Sequence, residues 1–363
     1  MTSGATLLDR ALAESIERFV RPRRNSDPAY VHHGLRWLHA PSGALATDSP
    51  GARDWLTIAR ALATVAWADM SLAFSLWCHR MVIEYMRTAQ DGTKGSGDGG
   101  GGDVGRWLAP LERAEVLGSS GLAAAMAHYV GGAPLPVKAA AATERRFELT
   151  GKLRWASNLF PGGFLLVTAA DAGAAGKVIV LVPAGREGLA VEPYPELLDL
   201  QSTASSSIEL SATPVDAKEI VSTDFNGFIG RVRPVFLLMQ SSFCWGLAAR
   251  SLFEATALVA RATNEVFVLE LHALEAERNR VEVEIASALS GAPVAPEDAR
   301  PIVSLRLRAA QLAGAATRLE CKLAGGAGYA ARSSTARRLR EAAFLPIQSP
   351  TEGQLLWELS RSA

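Results

Sequence analysis

The stretch RPVFLLMQSSFCWGLAARSLFEATALVARATNEVFVLELHALEAERNRVEVEIASAL, residues 233–289, constrains the chain more than any other. It keeps helical periodicity over a length far beyond the roughly 10–14 residues of an ordinary globular helix. Its apolar runs are interrupted by Arg, Glu and His, so it reads as a helix covered by other helices rather than by lipid. GAPVAP (291–296) supplies a turn, and a second helical run continues to LAGGAGY. Long antiparallel helices joined by short turns make a bundle.

Upstream, the hydrophobic period changes twice. Residues 4–20 and 52–88 place apolar side chains at i, i+3, i+4 and i+7, the pattern of buried or amphipathic helices. Residues 91–105, DGTKGSGDGGGGDVG, have little to bury and much entropy to lose, which reads as a mobile surface loop; with no strand before it, it is a poor phosphate cradle. From about residue 136 come short β-rich runs, VKAAAA, FELTGKLRWAS, GFLLVTAA, KVIVLVP and LAVEPYP, separated by Gly and Pro. They predict a small β-barrel or sandwich. The expected class is α+β, mostly α: an N-terminal helical domain (1–118), a central β domain (119–220) and a C-terminal four-helix bundle (221–363).

With 48% hydrophobic and 20% charged residues the chain can build a large core. Lys plus Arg and Asp plus Glu both number 37, so no net field favours nucleic acid or an anionic membrane, and a small-molecule partner is expected. Cys78, Cys244 and Cys321 lie far apart with no His at ligand spacing, which predicts core thiols in a reducing compartment and no metal. The N-terminal segment lacks an apolar signal region, so a soluble, cytoplasmic protein is expected.

Four segments, in order along nearly the whole chain, resemble the acyl-CoA dehydrogenase superfamily: FELTGKLRWASN (147–158), LDLQSTASSSIELSATPVD (198–216), RVRPVFLLMQSSFCWGLAARSLFEA (231–255) and KLAGGAGYAARSSTARRLREAAFLPIQSPTEGQ (322–354). The resemblance implies that fold and a flavin cofactor, FAD, with Trp155 packing on the ring, Ser157 bonding near its N5 and Asn158 close by. A flavin needs an aromatic face and polar donors of this kind, although Trp155 can equally be a core residue at a strand end. Gly325, Gly326 and Gly328 would approach the cofactor diphosphate of a neighbouring subunit, which implies a homo-dimer or homo-tetramer. Their alternative role is a helix C-cap. Thr351 would touch the cofactor, or else act as a turn hydroxyl. Arg233, the Arg of the family's Arg-Pro, is placed at the substrate.

Departures from the pattern qualify the activity. GLAAAMAHYVGGAPLP (121–136) lacks the family's flavin-binding hydroxyls, and Ala262 stands where a diphosphate-binding Arg is expected, so FMN or a loosely held reduced FAD is an alternative cofactor. Ser349 stands at the glutamate that removes the substrate proton, and Pro350 follows it. The other position from which relatives supply this base is Val232. A hydroxyl does not replace a carboxylate base without a partner. This resembles the superfamily's flavin monooxygenases, which need no such base, take reduced flavin from a separate reductase, and carry a His on the helix matched here by SLAFSLWCHRMVIEYM (71–86). His79 falls there and can hold or donate a proton, or can simply be a core histidine. His128 is a second candidate. A dehydrogenase with Glu352 as a relocated base, or a non-catalytic homologue, are the alternatives.

Overall fold

The computed structural model describes residues 6–40, 43–45, 54–95, 104–143, 146–261, 263–290 and 299–361. Most of the Gly-rich 91–105 segment, the 291–296 turn and Ala262 lie outside them. Four helices come first: α1 (Arg10–Val20), α2 (Tyr30–His39), α3 (Trp55–Ala68) and α4 (Met70–Gly95). Aspartates start three of them, Asp9, Asp54 and Asp69 accepting from the backbone N–H of Leu12, Thr57 and Leu72 at 3.0, 3.1 and 2.9 Å. The helical pattern over 52–88 is therefore two helices. Asp69 breaks it with an extended backbone (φ −157°), capping α4 while its other oxygen takes the Arg24 guanidinium at 2.9 Å.

A short helix α5 (Leu108–Glu112), strand β1 (Leu117–Gly121) and helix α6 (Ala123–Tyr129) lead into the sheet. The remaining strands are β2 (Val137–Thr143), β3 (Arg146–Ala156), β4 (Phe164–Asp171), β5 (Lys177–Pro183), β6 (Leu189–Val191), β7 (Ser206–Asp216) and β8 (Ile220–Ser222). They form one mixed sheet in the order β6-β7-β3-β2-β4-β5-β8, with β1 parallel to β4. Its two halves meet between β2 and β4 at one residue pair, Lys138 opposite Asp171, where Lys138 Nζ bonds Asp171 Oδ2 at 2.7 Å. The halves share a core of their own, built from Leu149, Leu153, Phe164, Leu166, Val180, Ile208 and Val215. Both faces of β4 are buried: Phe164, Leu166 and Ala170 enter that core, whereas Leu165, Val167 and Ala169 enter the helical one. This is why FLLVTAA reads as a continuous apolar run rather than an alternation.

The C-terminal region holds α7 (Phe225–Val259), α8 (Val268–Ser290), α9 (Arg300–Tyr329), α10 (Ser334–Ala343) and α11 (Glu352–Arg361). Helix α7 starts earlier than its Arg-Pro, capped by Asp224, and Pro234 lies inside it. The expected single long helix ends at Val259. Thr263 adopts φ +72°, and Asn264 Nδ2 donates to the carbonyls of Leu258 and Leu323 at 3.0 and 3.1 Å, closing α7 and tying it to α9. Nearly every residue of α7 between Phe236 and Ala249 is buried, because α3, α4, α8 and α9 surround it. Among the described residues no helix is long and apolar enough to cross a membrane.

Helices α3 and α7 are in close contact at Gly246, where a Cβ would stand 2.1 Å from the carbonyl oxygen of Ala63. Because the obstacle is backbone, the helices themselves must separate. Gly246→Ala should destabilise the protein by about 2 kcal/mol and Gly246→Val by more, read from urea unfolding midpoints; wild-type stability in Gly246→Val would contradict this packing.

Candidate functional site

Strand β1 has one edge on β4 and its other edge on α4. The backbone groups on that second edge are met by side chains. Gly118 N–H donates to His79 Nδ1 at 3.0 Å, Gly118 O accepts from Asn158 Nδ2 at 3.0 Å, and Ser120 N–H meets Cys78 Sγ at 3.2 Å. Asn158 Nδ2 also donates to Ser75 O at 2.9 Å, and Tyr85 Oη pairs with Ser120 Oγ at 3.0 Å. The contact is close because Gly118 has no side chain: a Cβ there would lie 2.5 Å from that of Val82. His79 is fully buried with its ring edge-on to His39 at 5.0 Å. Its Nδ1 is the hydrogen-bond partner of a strand edge, a role closer to the core histidine than to the cofactor-facing one. Burial holds its pKa well below the usual histidine value, helped by His39 and Arg80, so the ring accepts from Gly118 as neutral imidazole. His128 is engaged locally, its Nδ1 2.7 Å from Ala133 O.

At the end of β3, Trp155 is 60% exposed and offers an open aromatic face rather than a core ring. Ser157 and Asn158 turn inward. Asn158 adopts φ +63°, and its N–H donates to Thr203 O at 2.9 Å. Three hydroxyls follow one another: Ser157 Oγ lies 2.7 Å from Ser205 Oγ, which lies 2.7 Å from Thr203 Oγ1, which donates to Leu200 O at 2.8 Å. The last bond fixes the direction of the others. Thr203 has spent its proton, so Ser205 donates to Thr203 and Ser157 donates to Ser205. Ser157 therefore keeps its lone pairs free to accept, and the donor role expected of it requires this chain to be redirected.

The turn between α10 and α11 carries three expected residues together. Ser349 Oγ donates to Ala123 O at the start of α6 at 3.4 Å, and Ser349 O accepts from Gln240 Nε2 at 2.9 Å; the Ser349–Pro350 bond is cis. Thr351 and Gln354 form a reciprocal cap on α11, with Thr351 N–H to Gln354 Oε1 at 2.8 Å and Gln354 N–H to Thr351 Oγ1 at 3.2 Å. Glu352 Oε1 accepts from Gln311 Nε2 at 2.8 Å. Arg233, 4% exposed, is ion-paired to Glu358 of α11 at 2.5 Å.

One residue the sequence reading passed over lies beside this turn. Arg306 of α9 is fully buried, its Nε donating to Gln240 Oε1 at 2.9 Å and its Nη2 to Gln348 Oε1 at 3.1 Å. The signal was available: Ile302, Arg306, Ala309 and Ala313 share one helical stripe in which the arginine is the sole charge. Elsewhere, Gly325 (φ +61°, ψ −149°) occupies a region open essentially to glycine alone, and Gly325 and Gly326 lie exposed with nothing above them. Cys78 and Cys244 are buried free thiols, whereas Cys321 is half-buried rather than a core residue.

The backbone as a whole superposes on solved acyl-CoA dehydrogenases. Butyryl-CoA dehydrogenase from Megasphaera elsdenii matches with TM-score 0.74 at 14% identity, covering 97% of both chains. An acyl-CoA dehydrogenase from Geobacillus kaustophilus matches with TM-score 0.78 at 13% identity, covering 98% of both. The chain has the acyl-CoA dehydrogenase fold. Dibenzothiophene monooxygenase from Paenibacillus sp. A11-2 shares that fold, with TM-score 0.69 and 18% identity over 97% of this chain and 94% of its own. No family model matches the chain, and no curated protein matches it in sequence. Within the acyl-CoA dehydrogenase fold the helix–sheet–bundle order expected from the sequence is therefore present.

The two buried histidines make stability depend on pH. His39 is pushed down to about 4, chiefly by burial, and His79 moves the same way. A histidine whose folded pKa is depressed is protonated first in the unfolded chain, so its contribution is complete above about 6.5 and lost as pH falls toward 4. Each should contribute a slope of up to about 1.4 kcal/mol per pH unit in that window. Denaturant midpoints between pH 7 and 5 test this, since His39→Gln should flatten the fall; an unchanged slope would show His39 to be accessible to protons in the folded state.

Proposed function

We propose that the chain is a flavin-dependent oxidoreductase in which reduced flavin reacts with O₂ on a small organic substrate, rather than a dehydrogenase that removes a substrate proton. The observation that carries this reading is the turn between α10 and α11. Ser349, at the position matched to the base, offers a hydroxyl directed at a backbone carbonyl. Glu352, the carboxylate three residues on, is held by Gln311, and Arg233 is neutralised by Glu358 rather than free to orient an anionic group. The turn thus offers a hydroxyl where a proton-abstracting carboxylate would be needed, and the nearest carboxylate in sequence is engaged by Gln311, which supports this reading.

The residues around Trp155 fit a flavin in part. The exposed indole suits ring stacking, and the glycines at 325 and 326 leave room for a phosphate to approach backbone N–H groups. Asn158 does not fit, because its amide is committed to Ser75 and Gly118. A bound flavin supplies the redox chemistry: two-electron reduction, then reaction with oxygen. Within that site Trp155 would hold the ring and shield it from water. The Ser157 hydroxyl would accept a hydrogen bond from the cofactor's edge, and Ser349 would form a small polar wall. FAD fits the fold relatives better than FMN, and reduction would fall to a separate flavin reductase. His79 and Asn158 keep positioning roles through β1.

We further propose a homo-oligomer. Val266 in the turn before α8, Leu269 and Val283 on α8, and Tyr329 at the end of α9 are 73%, 81%, 67% and 81% exposed, apolar side chains that a second copy would cover. Light scattering at micromolar concentration should give at least twice the chain mass.

The chemistry is tested by loading the protein with FAD. Anaerobic addition of saturated acyl-CoA thioesters should leave the flavin oxidised, whereas enzymatically reduced flavin should consume O₂ on the protein. Trp155→Ala should weaken flavin binding by about 2 kcal/mol, from the aromatic area lost. Bleaching by an acyl-CoA that disappears in Glu352→Gln would overturn the monooxygenase reading in favour of a relocated base.

A further inference from the structure

A buried guanidinium cannot shed its proton, so it needs either a carboxylate or a full set of acceptors. Arg306 has neither. Its Nε and Nη2 meet the neutral amide oxygens of Gln240 and Gln348, and Nη1 is buried without any partner. The side-chain nitrogen of Gln348, whose residue is 5% exposed, is a second buried donor without an acceptor. Both donors thus belong to one contact pair, and Gln240 is already fully used, accepting from Arg306 and donating to Ser349 O.

The neighbouring titratable groups do not supply the missing charge. Cys244 acts on Arg306, but burial pushes its thiol up to about 11, so it is uncharged at neutral pH. Glu352 also acts on it, yet its carboxylate is bonded to Gln311 and makes no ion pair with Arg306. The cover over the guanidinium is thin. Gln348 touches it directly, and the preceding residues of the same turn, Pro346 and Ile347, are exposed, Ile347 by 70%.

We propose that Arg306 and Gln348 form a binding site for a small monovalent anion, a halide or a single carboxylate group, beneath the turn that carries Ser349. The anion accepts from Arg306 Nη1 and from the Gln348 amide, completing both donors and neutralising the buried charge. Solvent reaches it by displacement of the 346–348 segment. The site does not depend on the redox reading above, since it is built from the resting protein's own donors.

Thermal unfolding of the full chain tests the proposal in sodium chloride, bromide, nitrate or formate, with ionic strength held constant by gluconate, which is too large to enter. Tm should rise with the logarithm of the small-anion concentration, as for any ligand bound only by the folded state. Arg306→Met should abolish the rise. Gln348→Glu places a carboxylate where the anion would sit, so it should raise Tm in gluconate alone and remove the response to chloride; this variant also keeps the test decisive should Arg306→Met fail to fold. A bromide soak should give an anomalous peak within hydrogen-bond distance of Nη1. Displacement of that bromide by formate would place carboxylates among the ligands, and its persistence would make the site a halide site. A chloride response that survives in Gln348→Glu, or an ordered water at Nη1 in the bromide crystal, would overturn the proposal.

Discussion

The edge of β1 that faces α4 is the constraint on which the rest of the molecule depends. A strand edge buried against a helix has N–H and C=O groups that the helix backbone cannot satisfy, and each unmatched group would cost about 1–3 kcal/mol. Here His79, Asn158 and Cys78 act in place of a neighbouring strand. Because Asn158 also bonds Ser75 on α4, one amide joins the helix, β1 and the end of β3. The position of Trp155, three residues earlier, follows from that anchor. So does the path of the 200–205 loop, whose Thr203 carbonyl holds Asn158 N–H.

This explains why a histidine on the helix pattern admits two readings. Helical periodicity reports only that position 79 faces inward, and an inward polar residue is either a site residue or the partner of a buried backbone group. The distinction depends on Gly118, distant in sequence, whose lack of a side chain allows α4 to approach. Arg306 is the converse case. Its apolar stripe predicts burial, and a buried arginine predicts a partner, but that the partners are two neutral amides follows only from the meeting of α7, α9 and the turn.

Where the sequence was legible, it was so through period and punctuation. The change from helical to β spacing near residue 136 and the return to helix after β8 are both present, since each reflects which side of an element is covered. Helix breaks were less legible. Asp69 interrupts an unbroken apolar pattern because its cap geometry and its Arg24 partner outweigh propensity, and the end of α7 depends on Asn264 bonding a carbonyl of α9. The sheet shows the same limit. Runs with two buried faces announce strands but not their order, and the pinch between its halves rests on one long-range pair, Lys138 and Asp171.

The turn after α10 is fitted to a hydroxyl at position 349. In a dehydrogenase-like site a carboxylate at position 349 would need donors to hold it in the ionised form and an open path to the substrate carbon. Position 349 offers the Ala123 carbonyl, an acceptor, which would repel a carboxylate and raise its pKa. Arg306, whose guanidinium has no carboxylate partner, lies behind Gln240 and Gln348, on the far side of the hydrogen bond that fixes the Ser349 carbonyl. A glutamate reaching toward it would gain an ion pair and forfeit its basicity, because a paired carboxylate is a weaker proton acceptor. A carboxylate at position 349 could abstract a proton only if the turn moved away from the Ala123 carbonyl and Gln240 and Gln348 still screened it from Arg306. The arrangement is that of a turn built around a hydroxyl, with the buried charge of Arg306 one layer deeper in the bundle.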